Sequence, residues 1–316
     1  MSKIELSIII PVYNEEGNVQ ELFDRILLAM SKTKIPYETI FVDDGSTDSS
    51  SEILSYICRH HEGFILIRFR KNFGQTASMQ AGIDKSRGKY ICFLDGDLQN
   101  DPDDIEKLYT KASKGYDIVS GWRHKRKDKF ISRKLPSMIA NSIIAKATGV
   151  KLHDYGCSLK MYNGDLLRAT PLYGEMHRFI PALISLKGAN VAEMKVSHHP
   201  RKAGKSKYGI SRTFRVILDL ITVKFFGSFS TKPLHIFGGW GMLSFSLGVV
   251  ISLYLTILKL FFNQSIGSRP LLSLGILLIF LGIQFVTIGL IGEFLTRIYF
   301  ENQGRKTYHI REIIEK

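Results

Sequence analysis

Two stretches of this chain carry no charged residue and are each long enough to cross a bilayer. One spans 236–258 (IFGGWGMLSFSLGVVISLYLTIL) and the other 271–292 (LLSLGILLIFLGIQFVTIGLIG). A helix needs about 20 apolar residues to cross a hydrocarbon core of about 30 Å. Two such runs exceed what the core of a soluble domain carries, so they predict a transmembrane hairpin, and the rest of the chain must work at a membrane. The link between them, NQSIGSRP (263–270), holds one basic residue, Arg269, whereas the tail alone holds Arg297, Arg305, Lys306 and Arg311. The positive-inside rule then puts both termini and the remaining domain in the cytoplasm. The apolar run SIIIPV near the N-terminus is short and lacks a basic flank and a cleavage site, so it does not read as a signal peptide. The expected location is the inner (plasma) membrane, multi-pass. Gly238, Gly239, Gly241, Gly248, Gly282 and Gly289 would permit close helix packing between subunits, so a homo-oligomer is expected.

Charge is distributed unevenly along the 316 residues, whose net value is +14. Residues 1–117 hold 14 Lys and Arg against 19 Asp and Glu, and residues 118–233 hold 22 against 6. A basic block of this size suits nucleic acid, an anionic membrane surface or a phosphorylated substrate. Its position just before the spans favours the membrane and a phosphorylated substrate over nucleic acid. Within it, 211–233 reads as an amphipathic juxtamembrane helix, with Arg212, Arg215 and Asp219 on one face and Phe214, Ile217, Leu218 and Ile221 on the other. A second interfacial helix is expected at about 130–148. Basic amphipathic helices suit the headgroup region of a bilayer.

The first 120 residues alternate between apolar, β-branched runs (6–13, 38–44, 64–69, 89–95 and 116–121) and helical patterns (16–31, 49–61, 75–86 and 102–114). That alternation predicts an α/β domain over 1–210: a mainly parallel sheet with helices on both faces. Such sheets bind ligands at the carboxyl ends of their strands. Three of those ends are acidic: PVYNEE (11–16), VDDGSTD (42–48) and LDGDLQ (94–99). Carboxylates gathered at one edge repel one another unless a cation answers them. Oxygen ligands suit Mg²⁺ or Mn²⁺, ions that usually also hold substrate phosphates, so Asp97, with Asp95, is the expected metal site. Each cluster alone also reads as a turn or a helix cap.

Other chemistries are excluded by motif. There is no GxGxxG after the first strand, no GxxxxGK[ST], no GxSxG and no HExxH. Cys58, Cys92 and Cys157 are too few and too scattered for a disulfide framework or a zinc site. Cys157 has no adjacent base and reads as a buried small residue. His198 and His199 read as a partly exposed strand-end pair, and 297–316 as a helix or strand with a packing role.

The combination of PVYNEE, VDDGSTD, KNFGQTASMQAG (71–82) and FLDGDLQNDP (93–102) resembles the family 2 glycosyltransferases of GT-A fold. HDYGCSLK (153–160), RKAGKSKYG (201–209) and the two C-terminal spans narrow the resemblance to polyisoprenyl-phosphate glycosyltransferases, a group that includes bactoprenol glucosyltransferases and dolichol-phosphate mannose synthases. It covers nearly the whole chain. The resemblance implies that Pro11, Tyr13, Glu15, Asp43 and Asp44 line the nucleotide, and that Asp95, Asp97 and Gln99 serve the sugar nucleotide and its metal. Asp154 would face the reacting centre. Arg123, Arg133, Ser137, Arg201 and Lys207 would bind the acceptor phosphate, with Lys205 and Ser206 in the same Gly-containing loop. It implies inverting transfer of a single hexose from UDP-glucose, with GDP-mannose or another sugar nucleotide as the alternative, onto polyprenyl (undecaprenyl) phosphate for cell-envelope glycosylation. The QxxRW element of processive synthases is absent.

Overall fold

The computed structural model describes residues 4–124, 145, 149–172, 176–185, 187–200, 233–267, 269–301 and 308–316. The chain divides into two compact units: Met1–Val223 with Lys306–Lys316, and Lys224–Arg305. The expected helices at 130–148 and 211–233, together with Arg133, Ser137, Arg201, Lys205, Ser206 and Lys207, lie outside the described residues.

The first unit is built on one eight-stranded sheet in the order β7-β5-β6-β4-β1-β2-β3-β8. Its strands are β1 (Leu6–Val12), β2 (Tyr37–Asp43), β3 (Phe64–Phe69), β4 (Tyr90–Phe93), β5 (Ile118–Trp122), β6 (Lys160–Asn163), β7 (Val191–Lys195) and β8 (Ile310–Glu315). Helices α1 (Val19–Ser31), α2 (Ser50–His60), α3 (Gln75–Lys85) and α4 (Asp104–Ala112) separate the first five strands, as the alternation predicts. Pairing is parallel for β1 with β2 and β4, for β2 with β3, and for β5 with β7. It is antiparallel for β6 with β4 and β5, and for β8 with β3. Because β6 runs against both neighbours, β5 and β7 point the same way as β1 to β4. The carboxyl ends of six strands therefore share one edge.

Near-continuous apolar strands need cover on both faces. On one face, Leu6, Ile8, Ile10 and Val12 of β1 join a core with Leu22, Phe23 and Ile26 of α1, Leu54 and Ile57 of α2, and Ile105 and Leu108 of α4. The alternate residue, Ile9, faces α3, where it lies so close to Gly82 that an added Cβ would sit 2.3 Å from its Cγ2. Any side chain there would push α3 off the sheet.

The second unit is a pair of helices, α7 (Pro233–Phe262) and α8 (Pro270–Glu301), following two short ones, α5 (Gly164–Arg168) and α6 (Ile180–Ser185), of the first unit. The stretches Phe237–Phe262 and Pro270–Gly292 are long and apolar enough to cross a membrane, and only 11% and 17% of their most apolar windows are buried. Core helices of a soluble protein would show the reverse. Trp240, Met242, Phe261 and Phe280 are among the large apolar side chains left exposed, which suits lipid as the surrounding medium. A Cβ on Gly241 would lie 2.8 Å from the Gly282 carbonyl oxygen, and one on Gly248 would lie 2.7 Å from that of Gly275. The glycines expected to serve contacts between subunits at 241, 248 and 282 thus close the hairpin within one chain, as small residues do between membrane helices.

The chain after the second span does not end as a separate tail. Residues 310–315 return to the sheet as its edge strand β8, pairing Ile65 with Glu315 and Phe69 with Ile310. This covers the otherwise open edge of β3.

Candidate active site

The ends of β1 and β2 are laced together by short polar side chains. Asn14 adopts a left-handed backbone (φ 56°), and its Oδ1 accepts from the Thr47 N–H at 2.8 Å. Its own N–H donates to Ser46 Oγ at 3.0 Å. The N–H groups of Glu15 and Glu16 donate to Ser50 Oγ (2.8 Å) and Asp48 Oδ2 (3.1 Å). Glu15 Oε2 accepts from Asn18 Nδ2 at 2.6 Å. Pro11 is half-buried in β1 opposite Val42, and Tyr13 is half-buried beyond the strand.

The two aspartates after β2 hold neighbouring backbone. Asp43 Oδ1 accepts from the Ser46 N–H at 2.9 Å. Asp44 uses both oxygens on the loop before α3, accepting from Phe73 N–H (2.7 Å) and Gly74 N–H (2.9 Å). Gly45, at φ +71°, presses on that loop: a Cβ would fall 2.5 Å from the Lys71 carbonyl carbon. Only glycine fits there. Burial pushes the Asp44 carboxyl up to about 6, with Asp43 adding to the rise and the two backbone donors opposing it.

The turn after β4 brings in Asp95 and Asp97. Asp95 Oδ2 accepts from Ser158 Oγ at 2.5 Å, and its Oδ1 accepts from Gln75 Nε2, the first residue of α3, at 3.3 Å. Asp97 is buried, and its Oδ1 accepts from the Gln99 N–H at 3.2 Å. Leu98 between them is buried in a left-handed conformation (φ 61°), a strain that persists only where the surroundings fix it. Burial pushes the Asp95 carboxyl up to about 6. The neighbouring Asp97 adds to the rise, and the Ser158 hydroxyl, Arg123 and Lys160 oppose it.

At the β5 end, Arg123 and Asp154 are partners of each other. Nε and one terminal nitrogen of Arg123 meet the two carboxylate oxygens of Asp154 at 2.7 and 2.9 Å, and both side chains are largely buried. Beside this fork, Trp122 stacks on His153 (centroids 4.3 Å apart) and Lys195 Nζ lies 5.6 Å over the Trp122 ring. His153 Nδ1 meets Glu193 Oε2 at 2.7 Å.

The segment 154–160 ties the two halves. Asp154 grips Arg123, Ser158 grips Asp95 while accepting from Asn100 Nδ2 (2.8 Å), and buried Lys160 donates to the Tyr155 carbonyl at 2.9 Å. Burial lowers the Lys160 ammonium pKa. Gln75, Ser158, Asn100 and Lys160 are contacts that sequence reasoning misses. All four sit inside the quoted motifs, but nothing local says which chain neighbour they meet. Cys157 is buried and its thiol is pushed up to about 11 by that burial, as expected for a packing residue. His199 pairs with Asp101 at 3.0 Å.

Among the described residues no group of three or more His, Cys, Asp or Glu side chains is arranged to hold a metal ion by itself. The donor set at Asp95 and Asp97 instead fits a hard divalent cation of the Mg²⁺ or Mn²⁺ kind. Such ions bind through one or two carboxylates and complete their shell with water and substrate phosphate.

Residues 7–170 match glycosyl transferase family 2. A dodecaprenyl-phosphate galacturonate synthase from Rhizobium johnstonii is 43% identical over all of this chain and 94% of its own length. An undecaprenyl-phosphate 4-deoxy-4-formamido-L-arabinose transferase from Shewanella sediminis is 37% identical over 98% of this chain and 92% of its own. Among solved structures, mannosyl-3-phosphoglycerate synthase from Rubrobacter xylanophilus superposes with a TM-score of 0.57 at 13% identity, covering 70% of this chain and 74% of that one. Glucosyl-3-phosphoglycerate synthase from Mycobacterium tuberculosis, in complex with Mn²⁺ and UDP-glucose, gives 0.53 at 13%, covering 71% and 78%. The sheet whose strand ends carry these aspartates, and a similarity that runs the length of the chain, lead to one assignment: the protein belongs to the family 2 glycosyltransferases.

Proposed function

We propose that this enzyme transfers a single sugar from a UDP-activated donor onto a polyprenyl phosphate at the cytoplasmic membrane surface. The observation that carries the reading is the convergence of Asp43, Asp44, Asp95 and Asp97 on one sheet edge, in a chain that also bears a pair of membrane-length helices. The full-length likeness to enzymes named for polyprenyl-phosphate sugar synthesis and transfer supports the acceptor class. For the sugar, galacturonate is the first candidate, ahead of the 4-formamido pentose. Glucose and GDP-mannose, the expectations from sequence, remain in the comparison.

In this reading Pro11, Tyr13, Glu15, Asp43 and Asp44 line the base and ribose. Asp95 and Asp97 would hold Mg²⁺ or Mn²⁺ for the donor, with Gln99 beside them. When bound, the ion supplies positive charge against the departing diphosphate. Ser158 and Gln75 fix the Asp95 carboxylate. On the acceptor side, Arg123, Arg133, Ser137, Arg201 and Lys207 receive the lipid phosphate, since Arg grips phosphate through paired hydrogen bonds. A phosphate monoester has a second ionisation near about pH 6 and is largely dianionic at neutral pH, so it needs no strong base. Its oxygen attacks the anomeric carbon as the bond to the diphosphate breaks, and the diphosphate leaves with the electron pair. Direct displacement inverts that carbon. Asp154 then orients Arg123 and needs no proton-transfer role.

The test uses purified full-length enzyme with undecaprenyl or dodecaprenyl phosphate and a panel of labelled UDP-galacturonate, UDP-4-deoxy-4-formamido-L-arabinose, UDP-glucose and GDP-mannose. Label should enter the lipid phase with one UDP-sugar, dependent on acceptor and on Mg²⁺ or Mn²⁺. Label released only as free sugar, whatever the lipid, would refute the acceptor assignment.

A further inference from the structure

We propose that the entry to the C-terminal strand is a working part of the donor site: Tyr308 and His309, just before β8, position the loop between β3 and α3, and through it set the affinity for the sugar nucleotide. The inference rests on the reading that this sheet edge takes the donor.

The loop in question, residues 70–74, is clamped from two sides. From the site side, Asp44 accepts from the Phe73 and Gly74 N–H groups, and Gly45 is in contact with the backbone of Lys71 and Asn72. Gln75, directly after the loop, reaches Asp95. From the opposite side comes the tail. The Arg70 N–H donates to the His309 carbonyl at 3.2 Å. The Tyr308 ring stacks on Phe69 (centroids 5.2 Å apart, 17° between planes), and the His309 ring lies against Phe73 at 5.9 Å. Phe69 and Phe73 themselves meet edge to face at 5.6 Å, so four rings form one continuous row. The Tyr308 hydroxyl donates to Asp84 Oδ2 at 2.6 Å, which ties the tail to the far end of the helix that Gln75 begins. Lys71 Nζ stands 5.2 Å over the Phe73 ring.

Edge cover alone does not require this detail. The β3–β8 ladder runs in register from Ile65 to Arg68 and then breaks at a bulge between Arg68 and Phe69. Bulges re-aim the chain where a strand gives way to a functional segment. The contacts beyond the bulge are aromatic and polar and face the loop, whereas those before it are ladder pairs and the ion pairs Arg68–Glu312 and Lys85–Glu315. The C-terminal segment therefore has a stabilising part, β8 itself, and a loop-holding part, Tyr308 and His309 just before it. Without the latter, Phe73 loses one of its two supports, and the Asp44 and Gln75 contacts at the donor edge lose the fixed loop they hold. A loop that must be ordered by the ligand weakens binding by the ordering free energy.

The test measures binding of UDP with Mn²⁺ to purified full-length protein by titration calorimetry, with donor KM and kcat alongside. Tyr308→Ala/His309→Ala should bind UDP about tenfold more weakly and raise KM in proportion with kcat unchanged, the scale of one or two lost contacts. His309→Phe, which keeps a ring on Phe73, should bind as wild type does. Glu315→Gln, which loosens the strand away from the loop, should lower the unfolding midpoint and leave UDP binding unchanged. If the double variant does not fold, Tyr308→Phe and His309→Ala are measured singly, each with a smaller loss expected. Unchanged UDP binding in the folded double alanine variant, or in both Tyr308→Phe and His309→Ala where these replace it, or equal weakening by Glu315→Gln, overturns the proposal while leaving the donor site intact. A wild-type protein that binds no UDP overturns the donor-site reading itself.

Discussion

The two halves of the sheet edge treat charge in opposite ways. At the end of β5 it is neutralised within the chain, where Arg123 pairs with Asp154. At the ends of β1, β2 and β4 the carboxylates of Asp43, Asp44 and Asp95 are held by backbone N–H groups, a hydroxyl and an amide. Hydrogen bonds orient a carboxylate without cancelling its charge, and both Asp44 and Asp95 are pushed up to about 6. The first arrangement is complete as it stands, and the second is the one that the proposed function assigns to a cation. Breaking the first half should therefore cost stability as well as acceptor binding through Arg123, and breaking the second should cost catalysis with the fold kept.

The largest effect is expected at the acidic half. Asp97→Asn should lower transfer by about a hundred- to a thousandfold, the scale of losing one charge-stabilising group at a transition state, with the unfolding midpoint near that of wild type. Assay of lipid-linked label and a thermal melt check both parts. At the other half, Arg123→Ala should destabilise the fold by about 3–5 kcal/mol, because it leaves a buried carboxylate without its partner. Denaturation of Arg123→Ala against Arg123→Ala/Asp154→Ala decides the cause, since the double variant should recover part of the loss.

Ser158 sits where the halves join, so Ser158→Ala sharpens the comparison. Removing a hydrogen bond to a charged group should lower kcat/KM by about 10- to 100-fold, with Ser158→Thr partly restoring it. Asp44 gives a pH-dependent effect, read in stability. Its folded value, about 6, lies above the ordinary 3.8, so the folded state holds the proton more tightly. Stability from this group is greatest at low pH and falls as pH rises from about 4 through about 6. The stability of wild type relative to Asp44→Asn should accordingly decline by about 2–3 kcal/mol across that window and level off above it. Unfolding midpoints of both proteins at pH 4.5 and pH 7, without nucleotide, test the sign.

The acidic half is far more legible in the sequence than its counterpart. Strands β1 to β5 are near-continuous apolar runs between helical patterns, and parallel alternation brings their ends together by topology alone. Asp43, Asp44, Asp95 and Asp97 could thus be placed on one edge before any coordinates. Strand β6 hides itself: it is four residues long and starts with Lys160, a buried ammonium that pairs with a backbone carbonyl. Strand β7 is only half-buried, and β8 carries charges at Arg311, Glu312 and Glu315, so none shows a periodicity that separates it from loop. The Ser158–Asp95 bond joins residues 63 apart, and a spacing of that length has no local signature. The Arg123–Asp154 pair was visible as two site residues but not as partners, because the antiparallel return of β6 is what brings them together.

The central claim is that Asp95 and Asp97 hold a divalent ion for the donor. It is tested most directly by soaking crystals of the full-length protein with UDP and Mn²⁺ and locating manganese by its anomalous signal. The account predicts a peak about 2.0–2.2 Å from carboxylate oxygens of this pair, with UDP phosphate on its other side. Manganese bound elsewhere, with both carboxylates unliganded while UDP is present, would contradict it.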